Sequence, residues 1–443
     1  MSRLNSFIRG SVQVELLSTF YSKVNHRIIN KVVCRVNPPP AIKSTFLMMA
    51  LLFSSSLIIT VNADLSYKDS ESAQKTTPDT YFPGYGYHNW QRISPEEAGM
   101  DPVLINEAIE LSKRSETSIP KQAELAIQQW RTGNEDTHRS IIGPVKDHDA
   151  GVNGMIIKDG YIVAEWGDVE RVDMSYSVTK SFITLVMGVA MDRGLVDSEH
   201  DPVYKHIRGQ DELDDFSSEH NRKVTWDHLL RMTSEWEGEV WGKPWHAEGR
   251  RNPRDLPLQE PGTFQVYSNV TSARLALAIM QVLRQPLPKV LRENVMDPIG
   301  ASTTWRWKGY DNAWIEIDGQ MMQGSSSGGG WGGSMWINTP DLARVGLLTL
   351  KQGEWDGKQL ISREWFEKAE TPTPIRDDRG FINWNLNTGR KAVPKAPETA
   401  FFHSGSGNRI YVDRENNLVV VIRWMQTGDA FREFIGKIID SIE

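Results

Sequence analysis

The sequence has almost no cysteine, no block of charge of one sign and no apolar run long enough to span a membrane. Cys34 is the only cysteine among 443 residues, so a disulfide framework is excluded. Fifty Lys and Arg are mixed with 57 Asp and Glu, which leaves a net charge of -7. Without a basic patch, nucleic acid is not an expected partner. With 39% hydrophobic residues, the chain is that of a globular protein with a large core.

The longest uncharged apolar run lies near the N-terminus, over residues 46–61. It is shorter than the roughly 18 residues that a spanning helix needs. Lysines and arginines precede it, and small residues up to Ala63 follow it, as in a signal peptide with its cleavage site. A buried core helix is the alternative. We expect a leader over residues 1–63, export to the periplasm or the medium, cleavage near Ala63, and no stable membrane span after processing.

The two ends of the remaining chain carry strand patterns, and the middle carries helix patterns. Two apolar runs around Asp159-Gly160 predict a hairpin. Further strands are predicted at 401–402, 409–412 and 418–424. Capping residues and 3.6-residue periodicity predict helices at 177–193, 225–232, 272–283, 287–295 and 430–442, and one more that Thr339 caps with Pro340 at its first position.

This order predicts an α+β fold in which both ends of the chain build one antiparallel sheet. Helices near the N- and C-termini flank the sheet, and a mainly helical domain is inserted. The expected boundaries are a polar, poorly ordered lead-in at 64–94, a sheet domain at 95–185 and 338–443, and a helical domain with a glycine-rich loop at 186–337.

Ser177 and Lys180 open a helix that is apolar on nearly all sides and is therefore expected to be buried. Residues at i and i+3 share one helix face, so the amine can reach the hydroxyl. The helix N-terminus favours negative charge on the serine oxygen. Two other Ser-x-x-Lys matches, at Ser72 and Ser118, open no buried helix. A serine near a helix start with a lysine that reaches solvent is the structural alternative.

Two further motifs follow in order. Tyr267-Ser268-Asn269 comes after a Pro-Gly turn and before an apolar helix, and His403-Ser404-Gly405 ends a strand. The series Ser-x-x-Lys, Tyr-x-Asn, His-Ser-Gly resembles the penicillin-recognising serine hydrolases, within them the class C beta-lactamase-like group. That group includes D-aminopeptidases, carboxylesterases and 6-aminohexanoate-dimer hydrolases. The resemblance covers roughly residues 95–443 and implies the beta-lactamase/transpeptidase-like fold.

The resemblance also implies a role for each matching residue. Ser177 would be the acylated nucleophile, and Lys180 would lower the cost of removing its proton. Tyr267 would exchange protons with the leaving group. Asn269 would hold the lysine and the substrate carbonyl. The backbone N–H groups of Ser177 and Ser406 would form the oxyanion hole.

The third motif departs from the family, because His403 stands where beta-lactamases proper carry a lysine. The histidine keeps a hydrogen-bond donor but loses a constant positive charge, so efficient beta-lactamase activity is not expected. His403, Ser404 and Gly405 are nevertheless predicted to bind substrate, with Gly405 at a place where substrate backbone lies close to the strand.

Other patterns are weaker. The glycine-rich segment 324–333 matches Gly-x-Ser-x-Gly and Gly-x-Gly-x-x-Gly without a strand before it and a helix after it, so a flexible loop beside the cleft is the better interpretation. The histidines lack metal-ligand spacing, so no metal is expected. Glu235, Glu237 and Glu239 fit a polar loop better than a glycosidase pair. One or two tryptophans of 305–336, Trp331 above all, are expected to wall the cleft.

The sequence as a whole predicts a cofactor-free serine hydrolase that cleaves a small amide, ester or peptide through an acyl-enzyme. The rival is a non-catalytic or weakly catalytic penicillin-binding-like envelope protein that holds a cell-wall peptide. Loss of a catalytic residue would be the sign of such a protein, and Ser177, Lys180 and Tyr267 are all present.

Overall fold

The computed structural model of the protein describes residues 80–122, 147, 151–207, 215–245, 257–329 and 333–442. All the described residues belong to one compact unit. The expected leader at 1–63 and its apolar region lie outside these ranges, so export stays a prediction. No helix within the described ranges combines the length and the apolar character needed to cross a membrane.

Helices form where the sequence is apolar with a 3.6-residue period. In the described ranges they are α1 (Pro102–Arg114), α2 (Thr179–Asp192), α3 (Tyr204–Ile207), α4 (Trp226–Leu230), α5 (Asn269–Leu283), α6 (Leu287–Leu291), α7 (Thr339–Leu350), α8 (Arg363–Glu370) and α9 (Asp429–Asp440). A turn of π-helix, Arg292–Met296, continues α6. The predicted helices are therefore present, most of them with shifted ends.

The strands of the described ranges are β1 (Asn153–Lys158), β2 (Tyr161–Trp166), β3 (Asp173–Met174), β4 (Glu239–Val240), β5 (Lys243–Pro244), β6 (Arg306–Trp307), β7 (Trp314–Ile317), β8 (Gln320–Gln323), β9 (Met335–Ile337), β10 (Glu354–Trp355), β11 (Lys358–Gln359), β12 (Asn385–Leu386), β13 (Phe401–Gly405), β14 (Asn408–Asp413) and β15 (Leu418–Arg423). Six of them form the main sheet in the order β12-β13-β14-β15-β1-β2.

All neighbours in the main sheet are antiparallel. Strands β1 and β15, from opposite ends of the chain, pair along their whole length with Asn153 opposite Arg423. This confirms the α+β prediction of one antiparallel sheet shared by both ends. Asp159, with a φ of 54°, and Gly160, with a φ of 87°, make the predicted turn between β1 and β2.

Helices cover both faces of this sheet. On β15, Val420 and Ile422 point into a core cluster with side chains of α1 and α9, whereas Val419 and Val421 point to the opposite face. On that face Gly346 of α7 lies so close that a Cβ would stand 2.5 Å from Val419 Cγ1. The two-residue period of the strand thus gives the sheet two apolar faces, each covered by helix.

The N-cap of helix α7 lies one residue earlier than predicted. Asn338 Oδ1 accepts from the Asp341 amide at 2.8 Å, so Asn338 is the N-cap and Pro340 is the second helical residue. Thr339 Oγ1 instead donates to Asn153 Oδ1 on β1. The prediction of Thr339 as the cap is wrong, because its hydroxyl is hydrogen-bonded to Asn153 on the sheet.

Part of the polar lead-in is fixed against the helices. Arg344 of α7 is buried and donates to the carbonyls of Pro83, Gly84 and Gly86. Burial lowers the pKa of this guanidinium to about 10. The expectation of poor order is therefore wrong from Thr80 onward. The division of the unit into a sheet domain and a helical domain stays a prediction.

Candidate active site

Ser177 lies in a short 3-10 turn, Tyr176–Val178, that leads directly into α2. Every residue of α2 from Thr179 to Ala190 is buried, which agrees with its apolar sequence. Tyr176 has a φ of 49°, a conformation that non-glycine residues rarely adopt. Backbone strain of this kind persists only where the surrounding structure stabilises it. Ser177, the next residue, lines a cleft.

Lys180 lies one turn further along, and its side chain is fully buried. Its Nζ is 2.7 Å from Asn269 Oδ1, 2.9 Å from the Ser327 carbonyl and 3.2 Å from Ser177 Oγ. The first two partners can only accept, so they take two N–H bonds of the amine. The remaining tetrahedral direction of Nζ points at the Ser177 hydroxyl. It holds an N–H bond when the amine is protonated and the lone pair when the amine is neutral.

Tyr267 meets the same hydroxyl from the other side. Its Oη lies 2.5 Å from Ser177 Oγ and 3.2 Å from Asn269 Oδ1. Ser268 between them caps α5 by accepting from the Thr271 amide. Because the cap fixes the start of the helix, Tyr267 and Asn269 are held on either side of Ser268. The Ser-x-x-Lys and Tyr-x-Asn motifs thus come together as the sequence predicts.

The glycine-rich segment borders this cluster. Gly328 and Gly329 line the cleft. A Cβ on Gly328 would stand 2.1 Å from the Tyr176 carbonyl, so only glycine fits there. Ser327 Oγ donates to the Asn269 carbonyl at 2.9 Å. The prediction of a glycine-rich loop beside the cleft agrees with this placement, although the contact of Ser327 with Lys180 was not foreseen.

The third motif runs along β13 past Ser177. A Cβ on Gly405 would stand 2.5 Å from the Ser177 amide nitrogen and 2.6 Å from the Ser175 carbonyl. Ser406 follows with a φ of 39°, and Ser404, Gly405 and Ser406 all line the cleft. The close approach brings the backbone of Ser406 to the same cleft as the backbone of Ser177, as an oxyanion hole requires.

His403 does not contact the cleft, so its predicted role in binding substrate needs correction. The side chain is completely buried, with its ring 4.4 Å from that of Trp384 and 5.7 Å from that of Phe401. Nδ1 lies 3.1 Å from the Asn383 carbonyl, which can only accept, so the proton is on Nδ1. Burial lowers the pKa of the ring to about 4, and the histidine is neutral at pH 7. The segment that carries Asn383 and Trp384 covers it.

The cleft at Ser177 has a volume of about 380 Å3. Buried Met232, Phe381 and Ile382 give it apolar walls, and Arg376 and Arg379 stand at its rim. A second cleft, of about 750 Å3, lies beyond these arginines, but the described residues that line it include no serine or cysteine. The motif residues Ser177, Tyr267 and Asn269 line the smaller cleft.

The structure describes four of the five tryptophans in the 305–336 stretch. Trp305, Trp307 and Trp336 are buried, and Trp314 is half exposed on the β7–β8 hairpin. None of these four lines the cleft at Ser177. Trp331 lies outside the described residues, so its predicted role stays a prediction.

The sequence interpretation missed Asn383, which lines the cleft and bonds to the backbone of Ser177. A single asparagine in a turn carries no motif. Asparagine is enriched at positive φ, and Asn383 has a φ of 67°, but that preference identifies a turn and not a site. Within the described residues, no three His, Cys, Asp or Glu side chains are grouped so that they could hold a metal ion.

An antiparallel sheet between helices, with a serine and a lysine one helical turn apart at a cleft, is the arrangement of the active-site-serine penicillin-binding and beta-lactamase proteins. A family model described as Beta-lactamase matches residues 145–436, and the chain belongs to the beta-lactamase family, in which hydrolases are found. The resemblance predicted from the motifs is confirmed.

Several solved structures are similar to this chain. They include a beta-lactamase from Mycobacterium bovis (20% identity, 65% of this chain and 92% of that chain covered, TM-score 0.45). A penicillin-binding protein homologue from Caulobacter crescentus is 15% identical, with 73% of this chain and 99% of that chain covered and a TM-score of 0.49. A family VIII carboxylesterase is 17% identical, with 73% of this chain and 98% of that chain covered and a TM-score of 0.49. No curated protein matches the sequence.

Proposed function

We propose that the protein is a serine hydrolase that cleaves an amide or ester bond of a small substrate through a covalent acyl-enzyme. One observation carries the proposal: Ser177 Oγ lies 2.5 Å from Tyr267 Oη and 3.2 Å from Lys180 Nζ. A hydroxyl between two groups that can take up its proton is the arrangement of an activated nucleophile. Membership of the beta-lactamase family supports the same class of chemistry.

In the proposed acylation, Ser177 Oγ attacks the carbonyl carbon of the substrate while its proton passes to Lys180 Nζ or Tyr267 Oη. The carbonyl π electrons move to the oxygen, and the backbone N–H groups of Ser177 and Ser406 stabilise that oxyanion. Collapse of the intermediate breaks the bond to the leaving group. Tyr267, which is 44% exposed at the open side of the cluster, is placed to return the proton to the departing nitrogen or oxygen.

Deacylation repeats these steps with water as the nucleophile and Ser177 Oγ as the leaving group. The water gives its proton to the Lys180–Tyr267 pair and attacks the ester carbonyl. The proton then returns to Ser177 Oγ as the acid departs. Asn269 Oδ1 accepts from Lys180 and, while the phenol is protonated, from Tyr267, so it helps to keep the two groups in place.

The cleft favours a small substrate with an apolar acyl part. Its volume of about 380 Å3 is at the lower end of the range for small-molecule sites. Neutral, buried His403 leaves the third motif without the cation that beta-lactamases proper carry there. We therefore place esters, amides and short peptides before penicillins as substrates.

Covalent labelling tests this proposal. A fluorophosphonate probe is expected to modify the wild type at Ser177, located by peptide mass spectrometry, because the probe needs an activated serine next to an oxyanion hole. Ser177→Ala should lose the label, and Ser272→Ala, which removes a buried hydroxyl from α5, should keep it. Unlabelled wild type can then be compared on a p-nitrophenyl ester, a D-alanyl amide, nitrocefin and a linear aminohexanoate dimer.

Two outcomes would overturn the proposal: no label on a folded wild type, or equal labelling of Ser177→Ala. If the wild type binds a cell-wall peptide without label or turnover, the protein is the non-catalytic envelope protein instead.

We also propose that the enzyme is exported and that its leader is removed after Ala63. The support is the sequence alone, with its apolar region at 46–61 followed by small residues. Expression of the full chain in a bacterium should yield a periplasmic or secreted form whose first residue, read by N-terminal mass spectrometry, is Asp64. Recovery of only uncleaved protein in the cytoplasm would contradict this.

A further inference from the structure

The amide side chain of Asn383 joins the two segments that face each other across the oxyanion position. Its Nδ2 donates to the Ser177 carbonyl at 2.8 Å and to Ser181 Oγ at 3.1 Å. Its Oδ1 accepts from the Ser404 amide at 3.0 Å. One planar group thus bonds to the backbone of the nucleophile on one side and to strand β13 on the other.

Asn383 is itself held firmly from behind. Its backbone carbonyl accepts from Nδ1 of His403, whose ring is buried between Trp384 and Phe401. Its φ of 67° is one that asparagine tolerates better than most residues. The histidine of the third motif therefore fixes the turn, and the turn fixes the amide.

We infer that Asn383 is a positioning residue that sets the distance between the backbone N–H groups of Ser177 and Ser406. The inference rests on the proposed hydrolase function, because an oxyanion hole matters only to a protein that forms an oxyanion. His403 supports this role from the protein interior and has no contact with substrate.

The geometry explains why one side chain can set this distance. The Ser177 carbonyl belongs to the same residue as one oxyanion donor, and the Ser404 amide on β13 lies two residues before the other donor, Ser406, which directly follows the strand. If β13 slid or tilted relative to α2, at least one of the two hydrogen bonds to Asn383 would lengthen. Gly405 allows β13 to lie close to the backbone of Ser177, because it has no side chain to hold the two apart. It makes no bond that would keep the strand there, and the Asn383 amide supplies such bonds.

Deletion of the amide tests the inference. Asn383→Gly accepts the positive φ without strain and removes only the side chain. We expect kcat to fall about 10- to 100-fold, since small misplacements at a reacting centre cost up to that much. KM should change less than about threefold, because the apolar walls formed by Met232, Phe381 and Ile382 remain. The rate of fluorophosphonate labelling at Ser177 should fall in the same proportion as kcat.

Asn387→Gly provides the matched control. Asn387 is buried four residues further along, and its side chain bonds to Val393, Ala396 and Pro397, none of which lines the cleft at Ser177. This variant deletes the same group from the same segment, so it is expected to lose stability without losing kcat. Equal losses of kcat in both variants, or a kcat for Asn383→Gly within twofold of the wild type, would overturn the inference.

Amide hydrogen exchange gives a readout that does not need turnover. The Ser404 amide bonds to Asn383, so its exchange should accelerate at least about tenfold in Asn383→Gly and stay unchanged in Asn387→Gly. Unchanged exchange at Ser404 in Asn383→Gly would refute the link between Asn383 and β13. If the wild type shows neither label nor turnover, the proposed function fails, and the exchange rates alone decide whether Asn383 holds the strand.

Discussion

Replacement of Lys180 by methionine is expected to lower kcat/KM by about 10³-fold, which is within the range for a lost acid–base group. The Lys180 amine lies 3.2 Å from Ser177 Oγ, close enough to take up its proton. Methionine is of similar length and fills the buried space, but it can neither take up the proton nor hold Asn269. Steady-state kinetics on the best ester of the panel, together with the labelling rate, would measure the loss.

The fold should survive this change. The substitution leaves two acceptors, Asn269 Oδ1 and the Ser327 carbonyl, without their donor, at about 1–3 kcal/mol each if they stay dry. It also removes a buried amine, which offsets part of that cost. Lys113→Met, at an exposed position of α1, is the control and should match the wild type in rate and Tm. If Lys180→Met kept kcat/KM within tenfold of the wild type, the base would lie elsewhere.

Gly405→Ala is expected to lower the free energy of unfolding by about 2–3 kcal/mol, as overpacking does, and kcat by about 100-fold or more. The new Cβ would stand 2.5–2.7 Å from backbone atoms of Ser177, Ser175 and Val178. Backbone atoms cannot rotate away, so β13 must retreat from the nucleophile. The retreat carries the Ser406 N–H away from the oxyanion, which is why kcat should fall together with stability.

Chemical denaturation and kcat would measure the two effects. Gly151→Ala is the matched control, because a Cβ there meets nothing within 4 Å. It should change stability by less than about 0.5 kcal/mol, as exposed substitutions usually do. A Gly405→Ala enzyme with unchanged kcat would mean that the strand does not supply an oxyanion donor.

Most of the fold could be predicted because its signals are local. The Asp159-Gly160 turn and the continuous apolar run of β15 define strands without reference to the rest of the chain. The start of α7 was misplaced by one residue because Thr339 and Asn338 are both good caps. Asn338 is the cap because the Thr339 hydroxyl is hydrogen-bonded to Asn153 on β1. Local chemistry therefore fixed the kind of element, and distant contacts fixed its exact end.

The site was predictable where its residues belong to motifs that open helices. Ser177 and Lys180 share a helix face by spacing alone, and Tyr267 and Asn269 flank a helix cap. His403 could not be placed in this way. It lies on the same face of β13 as Gly405, but Trp384 and Asn383, about twenty residues earlier in the chain, cover it.

The amino-acid sequence by itself determined the family and the α+β sheet. It also predicted the cluster of Ser177, Lys180, Tyr267 and Asn269: spacing on one helix places Lys180 beside Ser177, and the family resemblance implies the place of Tyr267 and Asn269. Only the tertiary structure decided that His403 is buried and neutral, that Ser327 offers its carbonyl to Lys180, and that Asn383 spans two segments. These three facts depend on contacts between parts of the chain that are far apart in sequence, and the local pattern of a segment says nothing about which distant segment will pack against it.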